Sequence, residues 1–133
     1  MLFRSIDYSA QSVALAKQVA SSRATDNNNN NEEETESPVE FVEWDLLAGQ
    51  WDVVLNGSQT QGWDVVLDKG TFDAIALADK DTNGRAPADG YPVRIGRVVK
   101  PGGYFLITCE CAEGVFHPHL NSIIQRAISP KRS

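Results

Sequence analysis

Cysteine is scarce, and the two that occur, Cys109 and Cys111, are too close together for an ordinary loop-closing disulfide. Two cysteines make no disulfide framework, so free thiols in a reducing compartment are expected. No stretch approaches the ~20 apolar residues that crossing a bilayer requires. The opening residues, Met1-Leu2-Phe3-Arg4-Ser5-Ile6-Asp7, do not form the apolar run of a secretory leader, so a cytoplasmic protein with no membrane partner is expected. Basic charge is also in short supply: 12 Lys and Arg stand against 18 Asp and Glu, for a net charge of -6. Such a chain repels phosphate backbones, which argues against nucleic acid and for a cationic partner. Finally, no G-x-G occurs anywhere, so the glycine fingerprint of dinucleotide-binding folds is missing.

What is present is the balance of a globular domain: 133 residues, 41% hydrophobic and 23% charged. Residues 2–6 read as a short strand ending at Asp7. Ser9 is a good helix N-cap, and Val13, Ala16, Val19 and Ala20 recur at helical spacing, predicting a helix over about 10–20. Residues 25–38, with five consecutive asparagines and a cluster of glutamates, offer no apolar surface to bury and are expected to be a disordered insert. Order resumes at 39–45, a strand ending in Asp45.

A near-duplication comes next. Trp51-Asp52-Val53-Val54-Leu55 recurs as Trp63-Asp64-Val65-Val66-Leu67. The second copy, a continuous apolar run before a turn signal, is expected to be a buried strand of a parallel sheet. The first is expected to be a short edge strand or hairpin partner ending at the Asn56-Gly57 turn. Asp73-Ala74-Ile75-Ala76-Leu77 reads as a capped helical turn, and 79–90 as a polar loop. A short helix starting near Pro92 shares one face among Ile95, Val98 and Val99. Lys100-Pro101-Gly102-Gly103 breaks it, and 104–109 is the strongest strand in the sequence. Strands alternating with helices predict an α/β fold with a mostly parallel sheet.

Three segments carry a resemblance: Ile6-Asp7-Tyr8-Ser9; Gly62 to Ile75, with Asp68-Lys69-Gly70-Thr71-Phe72-Asp73 at its centre; and Val99-Lys100-Pro101-Gly102-Gly103 running into the last strand. Together they resemble the fungal enzymes that methylate a lysine of translation elongation factor 1-alpha. The middle segment is the specific one, because an acid-Lys-Gly-Thr-Phe-Asp run after an apolar strand is rare. The resemblance implies an incomplete Rossmann-like class I methyltransferase over 1–108 with flanking helices, and a divergent tail over 109–133. It also implies S-adenosylmethionine (AdoMet) as cofactor, a protein substrate, elongation factor 1-alpha, and a monomer. By the same resemblance, Asp7 with Tyr8 holds the ribose hydroxyls, Asp45 and the backbone at Leu46 meet the adenine, and Asp68 lies near the methionine end. Asp68 then orients the incoming amine, and Phe72 walls its channel.

Physical reasoning supports these positions, since ligands in open α/β sheets bind beyond the carboxyl ends of the strands. Asp7, Asp45 and Asp68 each follow a predicted strand. An acid there is also a common helix cap or Asx turn. The family's glycine-rich loop does not precede Asp7, so weak AdoMet binding and an impaired enzyme are expected. The alternatives are a catalytically inactive fragment or interaction module, and a nicotinamide-dependent oxidoreductase, which the absent glycine fingerprint disfavours. The tail contains Cys109-x-Cys111 and His117-x-His119, but their spacing is not the usual one for zinc, and no metal is expected.

Overall fold

The computed structural model describes residues 2–27 and 39–108. Most of the expected insert, residues 28–38, and the divergent tail, residues 109–133 with their cysteines and histidines, lie outside the described residues. The chain folds as two compact units, Met1–Val53 and Val54–Ser133.

In the first unit, β1 (Phe3–Asp7) pairs in parallel with β2 (Val39–Glu43), and α1 (Ala10–Asn27) lies between them in the chain. The register runs from Phe3 opposite Val39 to Asp7 opposite Glu43. Ser9 caps α1 as its sequence predicts, its hydroxyl accepting from the Ser12 N–H at 3.3 Å. The helix runs seven residues beyond its expected end at 20 and so takes in the first residues of the expected insert. No glycine or proline interrupts that run, and Ser21 and Ser22 turn their hydroxyls back onto the Lys17 and Gln18 carbonyls. Val13 is buried where α1 packs on the strands, and Trp44 and Leu46, just beyond β2, are buried too.

The first copy of the repeated pentapeptide does not form a strand. Trp51–Val53 is a 3-10 helix, and a second one lies at Gly57–Gln59. The cause is local: the buried Trp44 indole donates to the Gln50 carbonyl at 2.7 Å, and its ring meets Trp51 at 5.9 Å. These contacts fold the chain tightly where an edge strand would need it extended.

In the second unit, β3 (Trp63–Lys69) runs into α2 (Thr71–Ala76). After a polar loop, α3 (Tyr91–Val98) leads directly into β4 (Val99–Thr108), which pairs in parallel with β3. The expected turn at 100–103 is a bulge inside β4: Trp63 pairs with Val99 but Val65 pairs with Tyr104. Gly102 takes φ +80° there. Gly103 lies so close to β3 that a side chain would meet the Asp64 carbonyl oxygen at 2.8 Å. The core includes Val54, Tyr91, Ile95, Val98 and Val99; Ile95 and Val98 lie on the helix face expected from their spacing, whereas Val99, expected there too, opens β4.

β3 is a strand, as expected, but it is not buried on both faces. Val65 and Leu67, with Tyr104 and Leu106 opposite them in register, are exposed. The fold class is α/β with parallel strand pairs. In place of one mostly parallel sheet, the described residues form two two-stranded pairs.

Candidate functional site

The first unit holds Asp7, Tyr8, Asp45 and Leu46. Asp7 is the last residue of β1, and its carbonyl accepts from the Trp44 N–H at 2.8 Å. This bond continues the β1–β2 ladder past Glu43 and brings Asp45 to the same carboxyl end of the pair. Both acids are exposed, and both also make the local turns that their residue type favours. The Asp7 Oδ1 accepts from the Ser9 N–H at 2.8 Å, and the Asp45 Oδ1 accepts from the Leu47 N–H at 2.8 Å. Tyr8 is exposed and Leu46 buried. The two acids expected to contact a nucleoside therefore sit side by side at strand ends.

The second unit holds Asp68 and Phe72. Asp68 is the next-to-last residue of β3 and is only 6% exposed. Gly70 takes φ +84°, turning the chain sharply into α2. That turn aims the first N–H groups of α2 back at Asp68: Thr71 donates to Oδ1 at 2.8 Å and Phe72 to Oδ2 at 3.2 Å. Gly70 is thus the N-cap of α2, Asp68 two residues earlier satisfies its first N–H groups, and the Lys-Gly-Thr-Phe sequence acts as a compact corner. The Thr108 hydroxyl, at the end of β4, donates to the Asp68 carbonyl at 3.3 Å.

Tyr91, which no sequence motif marks, completes the corner. It is fully buried, and its hydroxyl donates to the Asp68 Oδ2. Its ring packs on Phe72 at 4.9 Å, tilted by 58°, and on Phe105 at 6.4 Å. Burial pushes the Tyr91 phenol well above its ordinary range, the hydrogen bond to Asp68 and that residue's negative charge add to the shift, and Asp73 adds a little more. The sequence signal that could have found Tyr91 is its place in the apolar spacing of α3, four residues before Ile95 and seven before Val98. Among the described residues no cluster of His, Cys, Asp and Glu forms a metal site, and no helix is long and apolar enough to cross a membrane.

Comparison with known proteins gives this arrangement a context. The chain is 36% identical over 104 residues to protein-lysine N-methyltransferase EFM4 of Saccharomyces cerevisiae, covering 77% of the chain and 38% of that protein. It is 32% identical over 103 residues to protein-lysine N-methyltransferase efm4 of Schizosaccharomyces pombe, covering 77% and 37%. It is also similar to EEF1A lysine methyltransferase 2 of Danio rerio, with 37% identity over 57 residues, 43% of the chain and 24% of that protein. The chain therefore spans less than two-fifths of the length of these curated relatives. No family model matches the chain, and no solved structure matches it significantly. By this homology the chain belongs to the protein-lysine N-methyltransferase family of these relatives and spans part of their length.

Proposed function

We propose that this chain carries the residues of an AdoMet-dependent protein-lysine methyltransferase acting on elongation factor 1-alpha in the cytoplasm, with residues 1–108 as a partial Rossmann-like class I domain. The observation that supports this most is the 68–73 corner. The rare acid-Lys-Gly-Thr-Phe-Asp run is folded as strand end, left-handed glycine and helix start, with its acid buried and held by three donors. The residues present fit the cofactor. Asp7 and Asp45 are exposed carboxylates at neighbouring strand ends, the acceptors that ribose hydroxyls and an adenine amine require. AdoMet, when bound, would supply a methyl group on a sulfonium that a neutral amine can attack in line, with the thioether sulfur leaving.

The chain's own contribution is placement and desolvation. Asp7, with Tyr8, and Asp45, with the backbone at Leu46, hold the nucleoside. Asp68 has about four acceptor positions, three of them taken by the Thr71 and Phe72 N–H groups and the Tyr91 hydroxyl. The remaining one orients the lysine amine. Phe72, fixed by the corner, walls the approach with an aromatic face that suits a cationic side chain.

Calorimetric titration of the full chain with AdoMet tests the reading. Weak binding that is lost in Asp7→Ala and in Asp45→Ala is the expected result. Binding unaffected by either change removes the nucleoside assignment. Transfer of labelled methyl from AdoMet to purified elongation factor 1-alpha tests the substrate.

A further inference from the structure

Tyr91 lies outside the segments that carry the resemblance, yet it touches both residues of the corner by different means. Its hydroxyl reaches the Asp68 carboxylate, and its ring lies against Phe72. Filling the core needs only the ring, and a phenylalanine would serve. Placing a hydroxyl in a dry interior is costly unless it is bonded, and this one is bonded to a carboxylate that is itself buried.

We propose that Tyr91 is the positioning residue of this corner. Its hydroxyl fixes the Asp68 carboxylate and, through it, the start of α2 and the Phe72 ring. The geometry explains why a third donor matters. Thr71 donates to Oδ1, while the Phe72 N–H is shared between Oδ2 at 3.2 Å and Oδ1 at 3.4 Å. Both amides come from the same turn of chain, so they leave the carboxylate free to shift together with the start of α2. Tyr91 approaches Oδ2 from α3, a separate element, and removes that freedom. The tilted ring contact then ties Phe72 to the same anchor, and Phe105 backs Tyr91 from β4. Because burial raises the phenol, it remains a neutral donor throughout the range in which proteins work. The consequence for catalysis rests on the methyltransferase reading above; the positioning itself does not.

The test is amide hydrogen exchange, residue by residue, on the full chain and on Tyr91→Phe, Asp68→Ala and the double variant. Tyr91→Phe keeps the ring and removes the hydroxyl alone. The expected result is exchange about tenfold or more faster at Thr71 and Phe72, the scale set by one lost hydrogen bond to a charged group. The β3–β4 amides are expected to stay as protected as in the parent. In the Asp68→Ala background, Tyr91→Phe is expected to add nothing at Thr71 and Phe72, because the hydroxyl acts through the carboxylate. Unchanged exchange at these two amides in Tyr91→Phe overturns the proposal, and so does an effect that persists without Asp68. Loss of protection across β3–β4 in Tyr91→Phe overturns it too, since the hydroxyl would then serve the whole unit. AdoMet calorimetry on the same parent keeps the two readings apart: absent binding counts against the methyltransferase reading and leaves the exchange result standing. Where methyl transfer is measurable, Tyr91→Phe lowers kcat and leaves the KM for AdoMet unchanged.

Discussion

The pentapeptide Trp-Asp-Val-Val-Leu occurs at 51–55 and again at 63–67, and the two copies fold differently. The first starts as a 3-10 helix, with Trp51 against Trp44 and with Val54 almost wholly buried. The second is a parallel strand whose Val65 and Leu67 face solvent. Their tryptophans show the reason. Trp51 is drawn into a tight turn by the Trp44 indole bonded to Gln50, whereas Trp63 opens a ladder with β4 and sends its own indole N–H to the Val54 carbonyl at 3.0 Å. Every backbone donor and acceptor needs a partner. The second copy finds its partners in β4, whereas carbonyls of the first are met by side chains, Val53 by the Arg4 guanidinium and Val54 by the Trp63 indole. Identical local propensity was therefore decided by what each copy had to pair with.

The glycines beside the copies give the largest test of this. Gly57, after the first copy, takes φ +57° with open space around it. Gly62, before the second, takes φ +107°, and a side chain there would meet the Lys100 backbone nitrogen at 2.5 Å. Gly62→Ala is expected to cost about 3–4 kcal/mol, from backbone strain plus a clash that only backbone movement relieves. Gly57→Ala is expected to cost about 1 kcal/mol, from the left-handed backbone alone. Urea unfolding midpoints measure both, and equal losses would mean that the second copy does not depend on close approach to β4.

The residues downstream of the two copies give the next largest effect. Only the second copy runs into Asp68 and the α2 corner. Asp68→Ala is expected to cost about 3 kcal/mol, combining a lost helix cap with a buried Tyr91 hydroxyl left unbonded. Asp52→Ala, at an exposed site in the first copy, is expected to stay within about 0.5 kcal/mol. In a methyl-transfer assay on folded variants, checked by circular dichroism, Asp68→Ala is expected to remove most of kcat and Asp52→Ala to cost little. Full activity in Asp68→Ala would leave this acid as a helix cap only.

Much of this organisation was legible in residue patterns. Ser9 at the start of α1, Ile95 and Val98 on α3 and the extended run before Thr108 all announce themselves through spacing and capping, which are local. The acids at strand ends were legible for the same reason, since a strand followed by an acid and a turn is a local signal. Three features were not, and each depends on a partner outside the segment itself. The first copy's 3-10 fold depends on Trp44. The bulge at 100–103 depends on close approach to Trp63 and Asp64. Tyr91's role depends on Asp68, 23 positions away. Propensity cannot report a partner that the topology supplies.

Tyr91 also makes the second copy's corner sensitive to alkali. Its phenol is raised in the folded state above the ordinary value of 10. The folded chain therefore holds a proton that the unfolded chain releases, so this stability is intact below pH 10 and lost as pH rises beyond it. The expected slope is about 1.4 kcal/mol per pH unit above pH 10. Tyr91→Phe should remove that contribution, giving a flatter alkaline limb in unfolding experiments. Parallel limbs for parent and variant would show that the phenol ionises without opening the corner.

The smallest effect separates the copies at their second residue, where each has an aspartate. Asp64, in the strand, forms an ion pair with Lys100 of the β4 bulge. Both side chains are largely in water, 70% and 41% exposed. Coulomb attraction there is weak, and holding a lysine in one rotamer opposes it, so the pair is expected to contribute under about 1 kcal/mol. A double-mutant cycle with Asp64→Asn and Lys100→Gln isolates that coupling from the effect of either change alone. In 1 M salt, with a screening length of about 3 Å, the coupling is expected to vanish. A coupling that survives high salt would mean that the bulge holds Lys100 close to Asp64 for reasons beyond charge. The register of the second copy would then rest partly on this pair rather than on Gly62 and Gly103 alone.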